Sequence, residues 1–191
     1  MPLTKINNRS LTGSLITGQV PGLPDGTVVQ VVSTTSAQRL TSTVQDATFV
    51  ALPGLTASIT PTDANNLILV TVHVGKVSSS QGSTSTGDRQ MNFRVKRDGT
   101  DIGLGETWET RLRVTFSVLD GPHHSAGRGG SSGSTQILDN PSTTSSITYS
   151  VYGSGHDGSS WAVNRAAETN DSGDAPQSTT SSTITLMEIK A

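Results

Sequence analysis

In the segment NLILVTVHVGK, Ile68, Val70, Val72 and Val74 alternate with Leu67, Leu69, Thr71 and His73. A β-strand turns successive side chains to opposite faces, so this spacing separates the two sets cleanly. It predicts a strand buried on one side and partly covered on the other. QMNFRVKRDGT repeats the pattern, with Met91, Phe93 and Val95 set against Asn92, Arg94 and Lys96. Asp98-Gly99 then gives a strong hairpin signal, with a return strand carrying Ile102 and Leu104. No segment sustains a helical period.

Other strand candidates follow the same logic. TVVQVVS is a short apolar run from Thr27, and TFVAL and LTASIT are read as two runs divided by Pro53-Gly54. TQILD, SITYSVYG, SWAVNRAA and STITLMEIK complete the later part of the chain. In TWETRLRVTFSVLD, Trp108, Leu112, Val114, Phe116 and Val118 share one parity, so a strand with Trp108 on its core face is expected. Trp161 follows a glycine-serine turn and is read as solvent-facing. Serine and threonine exceed a quarter of the 191 residues, while charged residues are only 15%. Disordered chains are usually rich in charge and poor in β-branched residues, so this composition suits short strands joined by many turns. The fold class expected is all-β, an antiparallel sandwich or barrel.

Residues 1–26 differ from the rest. They are polar, hold four glycines with Pro21 and Pro24, and show no periodicity, which predicts an extended N-terminal arm. Residues 27–191 form the body. The opening MPLTKINNRSLTGSLITG lacks the apolar segment of a secretory signal, and no apolar run is long enough to span a bilayer. With no cysteine, disulfides and cysteine-based zinc sites are excluded. A net charge of −2 gives no reason to expect nucleic acid or an anionic membrane as partner, and no membrane insertion is expected.

Several stretches invite a chemical reading. LDGPHHSAGRGGSSGST places His123 beside His124. Adjacent histidines point to opposite faces of a strand, whereas metal pairs sit two apart on a strand or four apart on a helix. The stretch is therefore read as an exposed loop, although a symmetry axis could bring these histidines together around an ion. GRGGSSGS lacks the lysine and the strand-to-helix setting of a phosphate loop. SGHDGSSW holds His156, Asp157, Ser159 and Ser160, but a triad needs a strained nucleophile elbow and an oriented base, so a surface turn is preferred. Arg89, Arg94, Lys96, Arg97, Arg111 and Arg113 cluster with Asp98, Asp101, Glu106 and Glu109. One reading is a hairpin face with cross-strand ion pairs; the other is a docking patch for an acidic partner or glycan carboxylates. No catalytic, cofactor-binding or metal residue is assigned, no cofactor is expected, and the chain is read as not an enzyme.

LTKINNRSLTG, SITPTDANNLILVTVHVG, RVKRDGTDIGLG, LDNPSTTSSITYSVYG and STITLMEIKA span most of the chain. Together they resemble tail-fibre-like and minor structural virion proteins of tailed bacteriophages, common among environmental and marine phages. The resemblance implies an attachment arm and a β-rich body, often homotrimeric, displayed on the virion after assembly in the host bacterial cytoplasm. It carries no set of functional residues. The body is then expected to be a jelly-roll-like β-sandwich. Expected partners are further copies of the chain in a trimer, other virion proteins through the arm, and a glycan or protein of the host surface. The expected role is a tail fibre or tail-associated appendage in host attachment. The alternatives are a capsid decoration protein (a head fibre or cement protein) and a carbohydrate-binding module.

Overall fold

A computed structural model describes residues 23–79, 90–120, 130–156, 160–167 and 178–191, and among these the chain forms eleven strands, numbered in chain order, and no helix. The first sheet is built on β4 (Leu67–Ser79). One edge of β4 pairs with β8 (Ser131–Asp139). The other edge is shared by β11 (Ser182–Ile189), along Leu67 to His73, and β10 (Trp161–Val163), along Val77 to Ser79. Beyond them lie β1 (Val28–Ser36), on β11, and β2 (Leu40–Ser42), on β10.

The second sheet is built on β5 (Gln90–Arg97) and β9 (Ile147–Gly155). The free edge of β5 takes β6 (Thr100–Ile102) opposite Val95 to Arg97 and β7 (Phe116–Leu119) opposite Gln90 to Phe93. On the far side β9 pairs with β3 (Val50–Ile59). All these pairings are antiparallel. β1 and β11 pack on β3 along one side and β7 packs on β8 along the other, so the two sheets close face to face as a β-sandwich.

The alternating segments fall as their period predicts. Ile68, Val70, Val72 and Val74 are fully buried and so are Met91, Phe93 and Val95. Each such side chain contributes about 1.5–3 kcal/mol of burial. The predicted hairpin is present: Asp98 and Gly99 have φ of 46° and 86°, as a type I′ turn requires, and Arg97 faces Thr100.

Four expectations are corrected. Pro53-Gly54 does not divide two strands but forms a bulge inside β3. Ala51 pairs with Tyr152 and Thr56 with Ser150, leaving residues 52–55 opposite one residue. Proline needs no ladder partner there, Gly54 supplies a φ of 68°, and the Pro53 carbonyl accepts from Ser36 Oγ at 2.8 Å. The strand expected from Trp108 onward begins only at Phe116. β6 and β7 already fill the edge of β5, so residues 103–115 have no ladder position and arch away from it. Thr115 pins the base of the arch, its N–H donating to the Phe93 carbonyl and its hydroxyl to the Ile102 carbonyl.

The two tryptophans are the reverse of what was expected. Trp108 is 64% exposed, in a turn closed by the Arg111 N–H on its carbonyl. Trp161 is 1% exposed, because β10 joins the ladder of β4 and turns the ring inward. There it lies over Gly153 and Gly155 of β9, and a Cβ on either glycine would come within 2.7 Å of the indole. Its Nε1–H donates to the Val44 carbonyl at 2.7 Å.

Residues 1–22, most of the expected arm, lie outside the described residues, as do Arg89, His123, His124, Asp157 and Ser159. The turn at the arm's expected end is tied to the body. Gly26 N–H donates to the Lys190 carbonyl, Lys190 N–H to the Thr27 carbonyl, and Lys190 Nζ meets Asp25 at 2.7 Å.

Candidate functional site

The outer face of the second sheet carries the densest polar chemistry among the described residues. β5 turns Gln90, Asn92, Arg94 and Lys96 outward, and β9 sets Tyr152 opposite Arg94. Asp101 on the hairpin meets Arg94 Nη1 and Lys96 Nζ, each at 2.9 Å. Arg94 also lies over the Phe49 ring at 4.2 Å and Lys96 over Tyr152 at 5.0 Å. Arg97, at the end of the strand, donates to both oxygens of Asp139 on the other sheet. Arg94 and Lys96 thus form a hairpin face with ion pairs to Asp101, which stands directly across from Lys96, whereas Arg111 and Arg113 lie on the arch of residues 103–115.

Beside that face the arch of residues 103–115 and the turn before β3 enclose an open cleft of about 510 Å³. That volume falls within the roughly 300–1,000 Å³ of small-molecule sites. Its floor is Gln90 and Asn92, the Gln90 amide donating to Asn92 Oδ1 at 2.7 Å. Thr110, Arg111, Leu112 and Val114 of the arch form one wall. Asp46, Ala47 and His156 form the other. Arg111 stacks on the exposed Trp108 ring at 4.7 Å, so an aromatic platform stands next to the cleft.

Asp46 is held in place by its backbone. It adopts a φ of 59°, which aspartate tolerates, and its N–H donates to the Gly155 carbonyl at 2.9 Å. Ser154 Oγ donates to its carbonyl, and the carboxylate meets His156 Nδ1 at 2.9 Å. The acid facing His156 therefore comes from the turn before β3, far along the chain. The pair is exposed, and the cleft lining as a whole combines a carboxylate, an imidazole and a guanidinium with planar amides and short apolar side chains. Such a lining can hydrogen-bond a polyhydroxylated ligand and cover one of its apolar faces. Among the described residues no group of three or more His, Asp or Glu side chains is placed to hold a metal ion.

Two buried polar groups are structural by their surroundings. Glu188 is fully buried in β11 and accepts four hydrogen bonds: from Thr62 N–H, Thr62 Oγ1 and Asn66 Nδ2 on one oxygen, and Gln30 Nε2 on the other. Burial raises its carboxyl, but these donors outweigh burial and hold it below the usual carboxylate range. Tyr149 donates to Asp139 at 2.7 Å, and burial followed by that carboxylate pushes its phenol far up, so it stays protonated. With Arg97 it ties the two sheets together through Asp139.

Sequence reasoning singled out His156, Arg94, Lys96, Arg111 and Trp108, which the fold brings to this one face. It missed Asp46, Gln90 and Asn92 as partners, since their meeting depends on the pairing of β5 with β9 and on a turn outside both. No protein-family model matches the chain, and no curated protein matches it.

Proposed function

We propose that this chain is a non-enzymatic structural protein of a bacteriophage particle, a tail fibre or tail-associated appendage that contacts the host surface. The observation that carries the reading is the strand order, β1-β11-β4-β8 facing β3-β9-β5-β6. It supports two nested Greek keys, a jelly roll, the architecture of many viral capsid and lectin domains. Fold alone does not assign function, so the remaining support comes from surfaces. Residues 1–26 serve as the attachment arm, residues 27–191 as the body, and the body assembles as a homotrimer. The cleft beside Trp108 favours a host saccharide as the contact, with Asp46, Gln90, Asn92 and Arg111 supplying hydrogen bonds.

Locating and counting the chain in intact particles by cryo-electron microscopy tests this. Density at the tail, with three-fold bodies projecting outward, is the expected result. Density spread over the head at hundreds of copies would make it a decoration protein instead. Absence from the particle would overturn both readings.

A further inference from the structure

The outer face of the first sheet has a pattern that stability of a lone sandwich does not call for. Pairing registers align Val31 on β1, Met187 on β11, Leu69 on β4 and Leu138 on β8 in one row across the sheet. All four point away from the core, because their neighbours Leu186 and Val70 are the buried members. Val31 is 54% and Leu138 59% exposed. A second row, Val28, Ile189 and Leu67, lies beside the first. Further along the same strands the outward positions become Ser33, Thr185, Thr71 and Gln136, then Thr35, Thr183, His73 and Ser134. None of these positions carries Asp, Glu, Lys or Arg.

We infer that this face is where copies of the chain join one another, with the symmetry axis running along the strands. A face without formal charge can be buried against its own copy without stranding an ion or apposing like charges. A partner chosen by charge complementarity would find nothing to pair with. The hydroxyl end is prepared for burial too. Ser33 Oγ already bonds Thr185 Oγ1 at 2.8 Å, and His73 Nδ1 bonds Ser134 Oγ at 3.0 Å, so four of its side chains are paired within the face, and the other hydroxyls and the Gln136 amide can bond across to a copy.

The gradient along the strands sets the direction of the axis. Rotation about an axis parallel to the strands keeps each apolar row level with the same row on the neighbouring copy, whether the axis is two-fold or three-fold. An axis across the strands within the face would set apolar rows against hydroxyls. Four strands about 4.8 Å apart and about eight residues long cover on the order of 500 Å² of plane. Side-chain relief adds to that, which brings the face to the order of the roughly 800 Å² per partner of a stable interface.

The inference rests on the proposed virion reading only for the expected number of copies, three. The test is sedimentation velocity and light scattering of the full chain across a concentration series. Wild type is expected to assemble, and Val31→Lys with Leu138→Lys together to weaken association by about a hundredfold or more, leaving monomer at the same concentrations. Circular dichroism checks folding. Should the lysine variant fail to fold, Val31→Thr with Leu138→Thr keeps β-propensity and is expected to weaken association about tenfold. Thr148→Lys, on the exposed face of the other sheet, is expected to assemble as wild type. A wild type that stays monomeric, a lysine variant that assembles unchanged, or equal loss in Thr148→Lys overturns the inference. A chain present in particles with this face in solvent overturns it alone. A chain absent from particles but assembling through this face overturns only the virion reading.

Discussion

Trp161 and Trp108 are the same side chain in opposite settings, one with 1% of its surface exposed and the other with 64%. Trp161 sits on a three-residue strand that has ladder partners on both edges, β4 and β2, and faces two glycines that leave a slot for its ring. Trp108 sits on an arch that the filled edge of β5 excludes from the sheet. Parity along a segment decides burial only if that segment finds a ladder to join. The same contrast separates two carboxylates: Glu188 has four donors and no exposed surface, while Asp46 has one imidazole and stands in solvent. The interior instances hold the sandwich; of the exposed ones, Asp46 lines the cleft and Trp108 stands beside it.

The largest effect is expected at Trp161. Trp161→Ala opens a cavity above Gly153 and Gly155 and removes one of the two donors on the Val44 carbonyl, which keeps the Gly155 N–H, a loss of about 3–5 kcal/mol carried mainly by the cavity. For a domain of this size that lowers Tm by roughly 10 °C or more. A shift under a few degrees in calorimetry would show that the slot collapses around the smaller side chain and that the contrast with Trp108 is overstated.

Glu188→Gln should follow, costing about 3 kcal/mol, because an amide NH₂ cannot accept from the donors converging there. The pH dependence identifies the cause. The folded carboxyl is held below its unfolded range, so its stabilisation is present above about pH 4.3 and lost as pH falls through the folded value. Wild-type Tm should therefore drop in acid more steeply than that of the Gln variant, the two curves approaching each other there. A Gln variant with a constant Tm deficit from neutral to strongly acidic pH would mean that packing, not charge, holds the site. Asp46→Asn, in the exposed setting, should leave stability nearly unchanged.

Much of the fold was legible from period two alone. β4 and β5 carried their own orientation, and Asp98-Gly99 carried the hairpin, since each is a local decision. What escaped was set by pairing between distant strands. Pro53-Gly54 looks like a turn until Ser36 is known to dock on it. The core role of Trp161 had a trace in the sequence. Tyr149, Val151, Gly153 and Gly155 are the inward members of β9, and two small residues in that series call for a large partner from the opposite sheet. The candidate site was half visible: the basic hairpin was read together with its ion pairs, but Asp46 and His156 meet only through the Gly155 ladder contact. No local pattern encodes that meeting.

Trp108→Ala should have the smallest effect on the fold and the most specific one on recognition. An exposed ring stacked only by Arg111 loses little on truncation, so stability should stay within about 0.5 kcal/mol of wild type. As a platform for the apolar face of a sugar it is worth about 0.5–1.5 kcal/mol, so affinity for a saccharide bound in the cleft should fall several-fold. Titration against a panel of neutral and uronic-acid oligosaccharides, for wild type, Trp108→Ala and Asp46→Ala, separates the contributions. Loss in both variants supports one site spanning cleft and platform. Loss in Asp46→Ala alone confines recognition to the polar wall and leaves Trp108 an exposed ring on an arch. Binding unchanged in both places the host contact elsewhere, and the contrast between the tryptophans then describes folding without recognition.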